Sequence, residues 1–316
     1  MTENPLRVIF MGTPAFAVPA LATLMETDHD VVGVFTQPDR RSGRGRRLAA
    51  PPVKEFAQQR ELPVFQPASL REDAAARRRI DDLAPDAIIV TAYGLFLPDD
   101  TLAAPRLGCL NIHPSLLPRH RGPSPVATAI LNGDDTTGVT IMLLDEGMDT
   151  GPVLAQRESP MGIKDTSDKL TTRLFDMGAN LLVETLEQWR AGHISPTPQD
   201  DANATITKRL QRADGHIDWN QPAKSIDRQV RAFTPWPGTF TTWKGRTLKI
   251  LEAEPLDTTH HDPIGKVVAM NGSEVATATG QGVLRLLSVQ MEGRRASNIA
   301  DFIRGYPDFI SSILGD

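Results

Sequence analysis

The first half of the chain alternates short apolar segments with segments of helical pattern, and this alternation constrains the fold more than any other feature. The apolar segments are rich in Val and Ile, as strands are. The predicted strands are residues 7–10, 31–35, 62–66, 87–91, 109–112 and 138–144. The predicted helices are residues 16–25, 53–60, 72–83 and 167–190, with a further helix inside 122–133. Strands that alternate with helices predict a parallel sheet that is covered on both faces.

The pattern changes after residue 206. A helix is predicted at residues 222–233, and short strands separated by turns follow it. These strands are residues 239–243, 247–253, 265–270, 274–279 and 283–289. Such strands predict a small antiparallel barrel. A length of 316 residues favours two domains, and the segment 192–207, which is polar and contains prolines, reads as the connection between them.

Three polar residues are the strongest candidates for a functional site. Asn111 and His113 stand in the run N-I-H-P-S-L-L-P, and Asp149 follows Asn111 by 38 positions. Side chains two apart on a strand share a face, so Asn111 and His113 should point to the same side. They would do so at the carboxyl end of a strand, where ligands bind in open α/β sheets.

The residue types in this trio suit acyl transfer to an amine. Asn111 can donate an N–H to the oxyanion that forms, and His113 can donate as imidazolium or shuttle the proton. Asp149 would favour the charged imidazole and fix its orientation. The alternative is purely structural: Asn111 caps a turn, His113 ends a strand and Asp149 caps a helix.

Composition and charge restrict the class of protein. The chain is 40% apolar and 23% charged, as soluble globular proteins are. No apolar run approaches the roughly 18 residues of a membrane span, and the N-terminus lacks the pattern of a signal peptide. Cys109 is the one cysteine, which excludes an internal disulfide and a multi-cysteine metal site. These features predict a cytoplasmic protein without a metal.

Basic residues are concentrated in a short run within an otherwise acidic first half. The net charge is −5, yet the run R-R-S-G-R-G-R-R at residues 40–47 contains no acid. A glycine-punctuated arginine run can follow a nucleic-acid backbone, whereas the plain alternative is a solvated loop. Its arginines are Arg40, Arg41, Arg44, Arg46 and Arg47. Lys208 and Arg209, at the predicted domain junction, would extend the positive track.

The motifs of this chain resemble those of the folate-dependent formyltransferases, most closely the members that act on methionyl initiator tRNA. The resemblance rests first on N-I-H-P-S-L-L-P, D-E-G-M-D-T-G-P and the opening V-I-F-M-G-T-P-A-F-A-V-P. It extends through F-T-Q-P-D-R-R-S-G-R-G-R-R, A-Y-G-L-F-L-P and R-A-F-T-P-W-P-G, and so through nearly the whole chain. Small departures, such as Pro114 where some relatives have Gly, remove no functional group.

The resemblance implies a reaction and a site. The reaction would be transfer of a formyl group from 10-formyltetrahydrofolate, as co-substrate, to the α-amine of methionyl initiator tRNA, for translation initiation. Asn111, His113 and Asp149 would be catalytic. The implied folate-binding residues are Ser115, Leu116, Leu117 and Pro118. The pterin would lie near backbone at residues 92–95 and 145–148. The arginine run, with Arg44 foremost, and Lys208 and Arg209 would bind tRNA.

Together these inferences predict an α/β protein with a Rossmann-like, mostly parallel sheet and a smaller C-terminal β-barrel that is OB-like. The expected divisions are a catalytic domain at 1–191, a linker at 192–207 and a tRNA-binding barrel at 208–316, in a monomer. One alternative is a sugar-nucleotide formyltransferase with the same trio, and others are a glycinamide ribonucleotide formyltransferase or a 10-formyltetrahydrofolate hydrolase. From a different class, a non-catalytic tRNA-binding protein would need no such trio.

Overall fold

The computed structural model describes residues 4–42, 47–270, 272 and 274–315. The chain divides into two compact units. The first unit comprises Met1–Pro125, Thr136–Pro160 and Thr171–Thr207. The second comprises Val126–Asp135, Met161–Leu170 and Lys208–Asp316. The two units are groups of residues that pack together, and each consists of three separate stretches of the chain. The expected domain divisions at 1–191, 192–207 and 208–316 stay a prediction.

The first unit is built on a sheet that is mostly parallel. Its described strands are β1 (Arg7–Gly12), β2 (Asp30–Phe35), β3 (Arg40–Ser42), β4 (Arg47–Ala49), β5 (Val64–Phe65), β6 (Ala87–Thr91), β7 (Cys109–His113), β8 (Thr136–Leu143) and β9 (Val153–Pro160). Seven of them form one sheet in the order β5-β2-β1-β6-β7-β8-β9, and β3 pairs with β4 separately. The pairs from β5 to β7 are parallel, whereas β7–β8 and β8–β9 are antiparallel. The predicted mostly parallel α/β fold is confirmed.

The α-helices described before residue 191 lie between these strands or, in one case, after them. They are α1 (Val18–Met25), α2 (Pro52–Gln58), α3 (Ala74–Leu83), α4 (Asp99–Ala103), α5 (Pro125–Asn132) and α6 (Ser167–Arg190). The helix α3 shows how local sequence sets the limits of an element. The Asp73 carboxylate accepts from the Ala76 N–H, 2.9 Å away, and caps the first turn. Ala84, in the left-handed region, ends the helix.

Alternate residues of the central strands pack on opposite faces of the sheet. On β1, Val8 and Phe10 join one core cluster, whereas Ile9 and Met11 join the other. On β7, Leu110 and Ile112 belong to the first cluster, whereas Cys109 belongs to the second. The strand period of two therefore places Asn111 and His113 on the Cys109 face.

The edge strand β9 was not predicted from the sequence. Its residues, V-L-A-Q-R-E-S-P, alternate between buried or half-buried and exposed positions along most of its length. Among the named strands, β9 pairs with β8 at the edge of the sheet, so polar residues such as Arg157 and Glu158 are tolerated there. Apolar runs in a sequence indicate central strands, whereas an edge strand with alternating polar residues has no such run.

The second unit contains an antiparallel half-barrel sheet, in agreement with the predicted OB-like domain. Its elements after residue 208 are α7 (Ala223–Ala232), β10 (Thr239–Trp243), β11 (Arg246–Leu256), β12 (Val267–Ala269), β13 (Val275–Ala278), β14 (Val283–Met291), β15 (Ser297–Asn298) and α8 (Ile299–Gly305). The strand order is β10-β11-β14-β13-β12, and β15 pairs with β14. Trp243 packs edge-on against Phe302 and Phe309 in the core of this unit.

Candidate active site

The centre of the candidate site is the carboxyl end of β7. Asn111 lies opposite Val90 of β6 and Met142 of β8, and His113 lies opposite Thr140 of β8. Both Asn111 and His113 are buried. Cys109 shares their face, and burial raises the pKa of its thiol to about 12, so this residue remains a neutral thiol. The polar groups presented here are therefore an amide and an imidazole.

Each nitrogen of the His113 ring lies near one oxygen atom. Nε2 lies 3.1 Å from the backbone carbonyl oxygen of His120. A carbonyl oxygen can only accept, so Nε2 must carry the hydrogen. In the neutral ring, Nδ1 then has a free lone pair. Nδ1 faces Oδ1 of Asp149 at 3.6 Å.

The pKa of His113 is lowered from its ordinary value. The main cause is burial, which disfavours the charged ring, and the nearby His120 ring acts in the same direction. The Asp149 carboxylate and the hydrogen bond to the His120 carbonyl raise the pKa, but they do not offset burial. The sequence suggested that Asp149 would favour the charged imidazole. The Asp149 carboxylate does raise the pKa of His113, but the net shift is downward, so the ring is neutral near pH 7.

The loop that carries Asp149 holds its carboxylate in a constrained position. Asp149 has a φ of 56°, in the left-handed region that Asp tolerates better than most residues. Its Oδ2 accepts from the Gly122 N–H at 2.8 Å, which leaves Oδ1 facing His113. The loop returns to the sheet at Gly151, where an added Cβ would lie 1.9 Å from the Leu143 carbonyl oxygen.

Gly151→Ala is expected to displace the Asp149 loop, because the new methyl group would overlap the backbone of β8. We expect a loss of roughly 1–3 kcal/mol in the free energy of unfolding, measured by urea denaturation. Gly305→Ala is the matched control, because a Cβ there would have no neighbour within 4 Å. Equal stability of the two variants would show that the loop moves at little cost.

Several residues around the trio carried no signal in the sequence. They are Gly122, His120, Arg121, Gln199 and Thr205. The segment from residue 192 to 207, predicted as a linker, belongs to the first unit and hydrogen-bonds to its loops. Its polar composition resembles that of any exposed connection, so sequence reasoning could not assign it to the site.

The predicted folate-binding residues form the turn that follows β7. The Ser115 hydroxyl donates to the Arg119 carbonyl at 2.7 Å. The Leu117 N–H donates to Thr140 Oγ1 at 3.1 Å, and its carbonyl accepts from Gln156 Nε2 at 2.8 Å. Ser115 and Leu117 are buried, whereas Leu116 and Pro118 are half-buried. Whether this turn binds folate stays a prediction.

The loops after β1, β2 and β6 meet beside this turn at the carboxyl edge of the sheet. The Tyr93 carbonyl accepts from Thr13 Oγ1 at 3.0 Å and from Gln37 Nε2 at 2.9 Å. Ala92 and Gly94 on either side have positive φ, so the chain reverses sharply here. These bonds hold the backbone of residues 92–95, where the pterin was expected.

The predicted tRNA-binding residues fall into three groups. Arg40 and Arg41 lie on β3 with exposed side chains. Arg44 and Arg46 lie outside the described residues, and Arg47 begins β4. Lys208 and Arg209 belong to the second unit and are exposed, and Lys208 Nζ lies 2.8 Å from Asp214 Oδ1. The role of these residues stays a prediction.

The described part of the chain holds neither a metal-binding cluster nor a membrane-spanning helix. Across residues 4–42, 47–270, 272 and 274–315, no three His, Cys, Asp or Glu side chains are grouped so as to hold a metal ion. Over the same ranges, every helix is too short or too polar to cross a membrane.

The fold and the site together define an α/β enzyme whose centre of amide, imidazole and carboxylate suits acyl transfer. Family models agree. The model described as formyl transferase matches residues 6–186, and that of the formyl transferase C-terminal domain matches residues 209–307. The chain belongs to the formyl transferase family.

Curated relatives resemble the chain over nearly its full length. A methionyl-tRNA formyltransferase of Roseiflexus sp. (strain RS-1) is 51% identical over 314 residues, which are 99% of this chain and 96% of the relative. A methionyl-tRNA formyltransferase of Marinobacter nauticus is 44% identical over 300 residues, covering 95% of this chain and 96% of the relative.

Solved structures share the fold at low sequence identity. WlaRD, a sugar 3N-formyl transferase, superposes with a TM-score of 0.67 at 18% identity, covering 92% of this chain and 99% of WlaRD. HypX from Aquifex aeolicus, in complex with tetrahydrofolic acid, has a TM-score of 0.65 at 20% identity. The match covers 96% of this chain but 48% of HypX, so the chain spans about half the length of that protein.

Proposed function

We propose that this enzyme transfers the formyl group of 10-formyltetrahydrofolate to the α-amine of methionyl initiator tRNA. The observation that carries the chemistry is the His113 ring, which donates through Nε2 to the His120 carbonyl and turns Nδ1 toward Asp149. The methionyl-tRNA formyltransferase names of relatives at 43–51% identity support the choice of acceptor.

Asn111 acts on the formyl oxygen. When the amine attacks the formyl carbon, a C–N bond forms and the carbonyl oxygen becomes an oxyanion. The Asn111 amide, held by the strand β7, donates an N–H to that oxyanion. A positioned donor of this kind contributes about 2.7–4 kcal/mol in comparable sites.

His113 moves the proton. The attacking nitrogen becomes positively charged and must lose a proton, which the neutral ring accepts at Nδ1. The imidazolium is then stabilised by Asp149 Oδ1, 3.6 Å away. The bond from the formyl carbon to N10 of the folate breaks, and the proton passes from His113 to N10. The ring is thereby restored to its neutral form.

The acid side of the pH profile follows from this role. His113 must be neutral to accept the proton, and its pKa is lowered from 6.5 mainly by burial. Turnover should therefore stay high as the pH falls through 6.5 and decline only below it. The measurement is kcat against pH at saturating substrates, divided at each pH by the unprotonated fraction of the substrate amine. A decline centred above pH 6.5 would contradict a neutral, buried base.

Arg44→Ala is expected to weaken the use of charged tRNA while folate binding remains intact. An arginine that contacts phosphate contributes through counterion release, so the KM for tRNA of the variant should also depend less on salt. The measurements are the KM for tRNA at several salt concentrations and the Kd for folate. Arg78→Ala, in the exposed part of α3, is the control and should change neither. Equal damage to both substrates would count against the assignment.

An acceptor panel tests the substrate. In three separate reactions, the purified enzyme is incubated with 10-formyltetrahydrofolate and one acceptor. The acceptors are methionyl initiator tRNA, a dTDP-linked amino sugar and glycinamide ribonucleotide. We expect N-formylation of methionyl-tRNA alone. Formylation of the amino sugar would favour the sugar-nucleotide alternative, release of formate without an acceptor would favour the hydrolase, and tRNA binding without product would indicate a non-catalytic protein. A monomeric state and a cytoplasmic location stay predictions.

A further inference from the structure

Residues 197–207 belong to the first unit and form hydrogen bonds with other parts of it along their length. The backbones of Thr197 and Val153 exchange two hydrogen bonds of 2.8 Å. Farther on, Ile206 forms a parallel bridge with Arg121, next to the loop of His120 and Gly122. The segment therefore contacts the Asp149 loop region at one end and the His113 side of the site at the other.

Gln199 holds the Asp149 loop through every polar atom of its carboxamide. Nε2 donates to the carbonyl oxygens of Asp149, at 2.9 Å, and Gly151, at 2.7 Å. Oε1 accepts from Nε of Arg121, at 2.9 Å. The Gln199 side chain thus links the backbone of Asp149, where φ is positive, to the side chain of Arg121, the residue before Gly122. Gly122 itself donates to the Asp149 carboxylate.

Thr205 holds the acceptor of the His113 ring in a similar way. Its Oγ1 accepts from the His120 N–H at 2.8 Å, and its carbonyl accepts from the Arg121 N–H at 2.9 Å. The peptide group between His120 and Arg121 therefore donates to Thr205 at one end and accepts from His113 Nε2 at the other. Rotation of this peptide would remove the partner that keeps the hydrogen on Nε2.

We propose that Gln199 and Thr205 are positioning residues for formyl transfer. Gln199 fixes the Asp149 carboxylate, and Thr205 fixes the orientation of the His113 ring. The inference rests on the proposed function, since it takes His113 and Asp149 as the groups that move the proton. The proposal makes residues 197–207 a structural part of the active site.

Kinetics of two variants test this role. Gln199→Met keeps the length of the side chain without its hydrogen bonds. Thr205→Val keeps the shape but removes the hydroxyl that accepts from the His120 N–H, while the Thr205 carbonyl still accepts from the Arg121 N–H. We expect kcat to fall by roughly 10- to 100-fold in each, because a misplacement of about 1 Å in a catalytic group has an effect of that order. KM values should remain nearly unchanged. Asn203→Ser is the matched control, because Asn203 lies on the same segment, is exposed and donates to Asp200 Oδ2 at 2.8 Å.

A titration of His113 by NMR separates positioning from a general loss of structure. The titratable groups that act on the pKa of the ring are Asp149, which raises it, and His120, which lowers it. If Gln199→Met releases the Asp149 carboxylate, the apparent pKa of His113 should fall further, since an attractive charge is lost. The signal is assigned with His113→Asn, and Asn203→Ser should leave the titration unchanged.

The outcomes are distinct. Wild-type kcat and wild-type titration in both Gln199→Met and Thr205→Val would overturn the proposal. If one variant does not fold, the other decides between the same two results. A shifted titration together with no formylation of methionyl-tRNA by the wild-type enzyme would support the positioning role and reject the proposed acceptor. The titration needs no substrate, so the two failures can be told apart.

Discussion

His113→Ala is expected to lower kcat by roughly 10²- to 10⁴-fold, the range that a positioned acid–base group contributes. In the proposed mechanism, the ring takes the proton from the attacking amine and returns it to the leaving nitrogen. Its Nε2 donates a hydrogen bond to the His120 carbonyl, so Nδ1 would accept the proton, and the Asp149 carboxylate would stabilise it there. The measurement is single-turnover formylation of methionyl initiator tRNA.

The loss should be confined to the chemical step. Binding of tRNA and of folate to the His113→Ala variant should be close to that of the wild type, because the ring is buried at the strand end. His193→Ala removes an exposed histidine of the same unit and serves as the control. Wild-type turnover in His113→Ala would reject His113 as the proton carrier, and loss of tRNA binding would indicate a structural role.

Asn111→Ala is expected to lower kcat by about 10²- to 10³-fold, as the loss of one oxyanion donor does elsewhere. The donor acts only when the oxyanion has formed, so kcat and kcat/KM should fall together while KM remains nearly constant. Asn111 lies between β6 and β8, which hold its backbone in place before substrate binds. Steady-state kinetics with both substrates provide the measurement.

The control for Asn111 is Asn180→Ala. Asn180 is exposed on α6 and bonds to the Asp176 carbonyl one turn away, so its removal should have little effect on turnover. A rise in KM without a change in kcat for Asn111→Ala would show that the amide binds the ground state equally well. That result would remove Asn111 from the oxyanion role and leave His113 with Asp149 as the catalytic pair.

The parallel sheet and the shared face of Asn111 and His113 could be predicted because they depend on periodicity alone. Apolar runs covered on both faces identify central strands, and a period of two fixes which side chains point together. The structure places Cys109 on the same face of β7, as this reasoning requires. Pairing of Asp149 with the imidazole was expected from chemistry, and the two groups do lie 3.6 Å apart.

The sequence could not predict features that depend on backbone groups distant in the chain. The hydrogen on His113 Nε2 is determined by the His120 carbonyl, whose position is held by Thr205. The lowered pKa of His113 depends on burial by the whole first unit, which no local pattern measures. Gln199 lies in a polar stretch without periodicity, and its importance is visible only through its three hydrogen bonds.

The attachment of residues 199–207 to the site has a consequence for protein synthesis. Thr207 follows Asp149 by 58 positions in the chain. At about 5–20 residues per second, a ribosome needs roughly 3 to 12 seconds to add them. When Asp149 is added, strands β1 to β8 and both side chains are present in the nascent chain, but β9 and the residues of the positioning hydrogen bonds are still to be made. On the proposed role of Gln199 and Thr205, catalytic competence is therefore acquired only after residues 199–207 have been added.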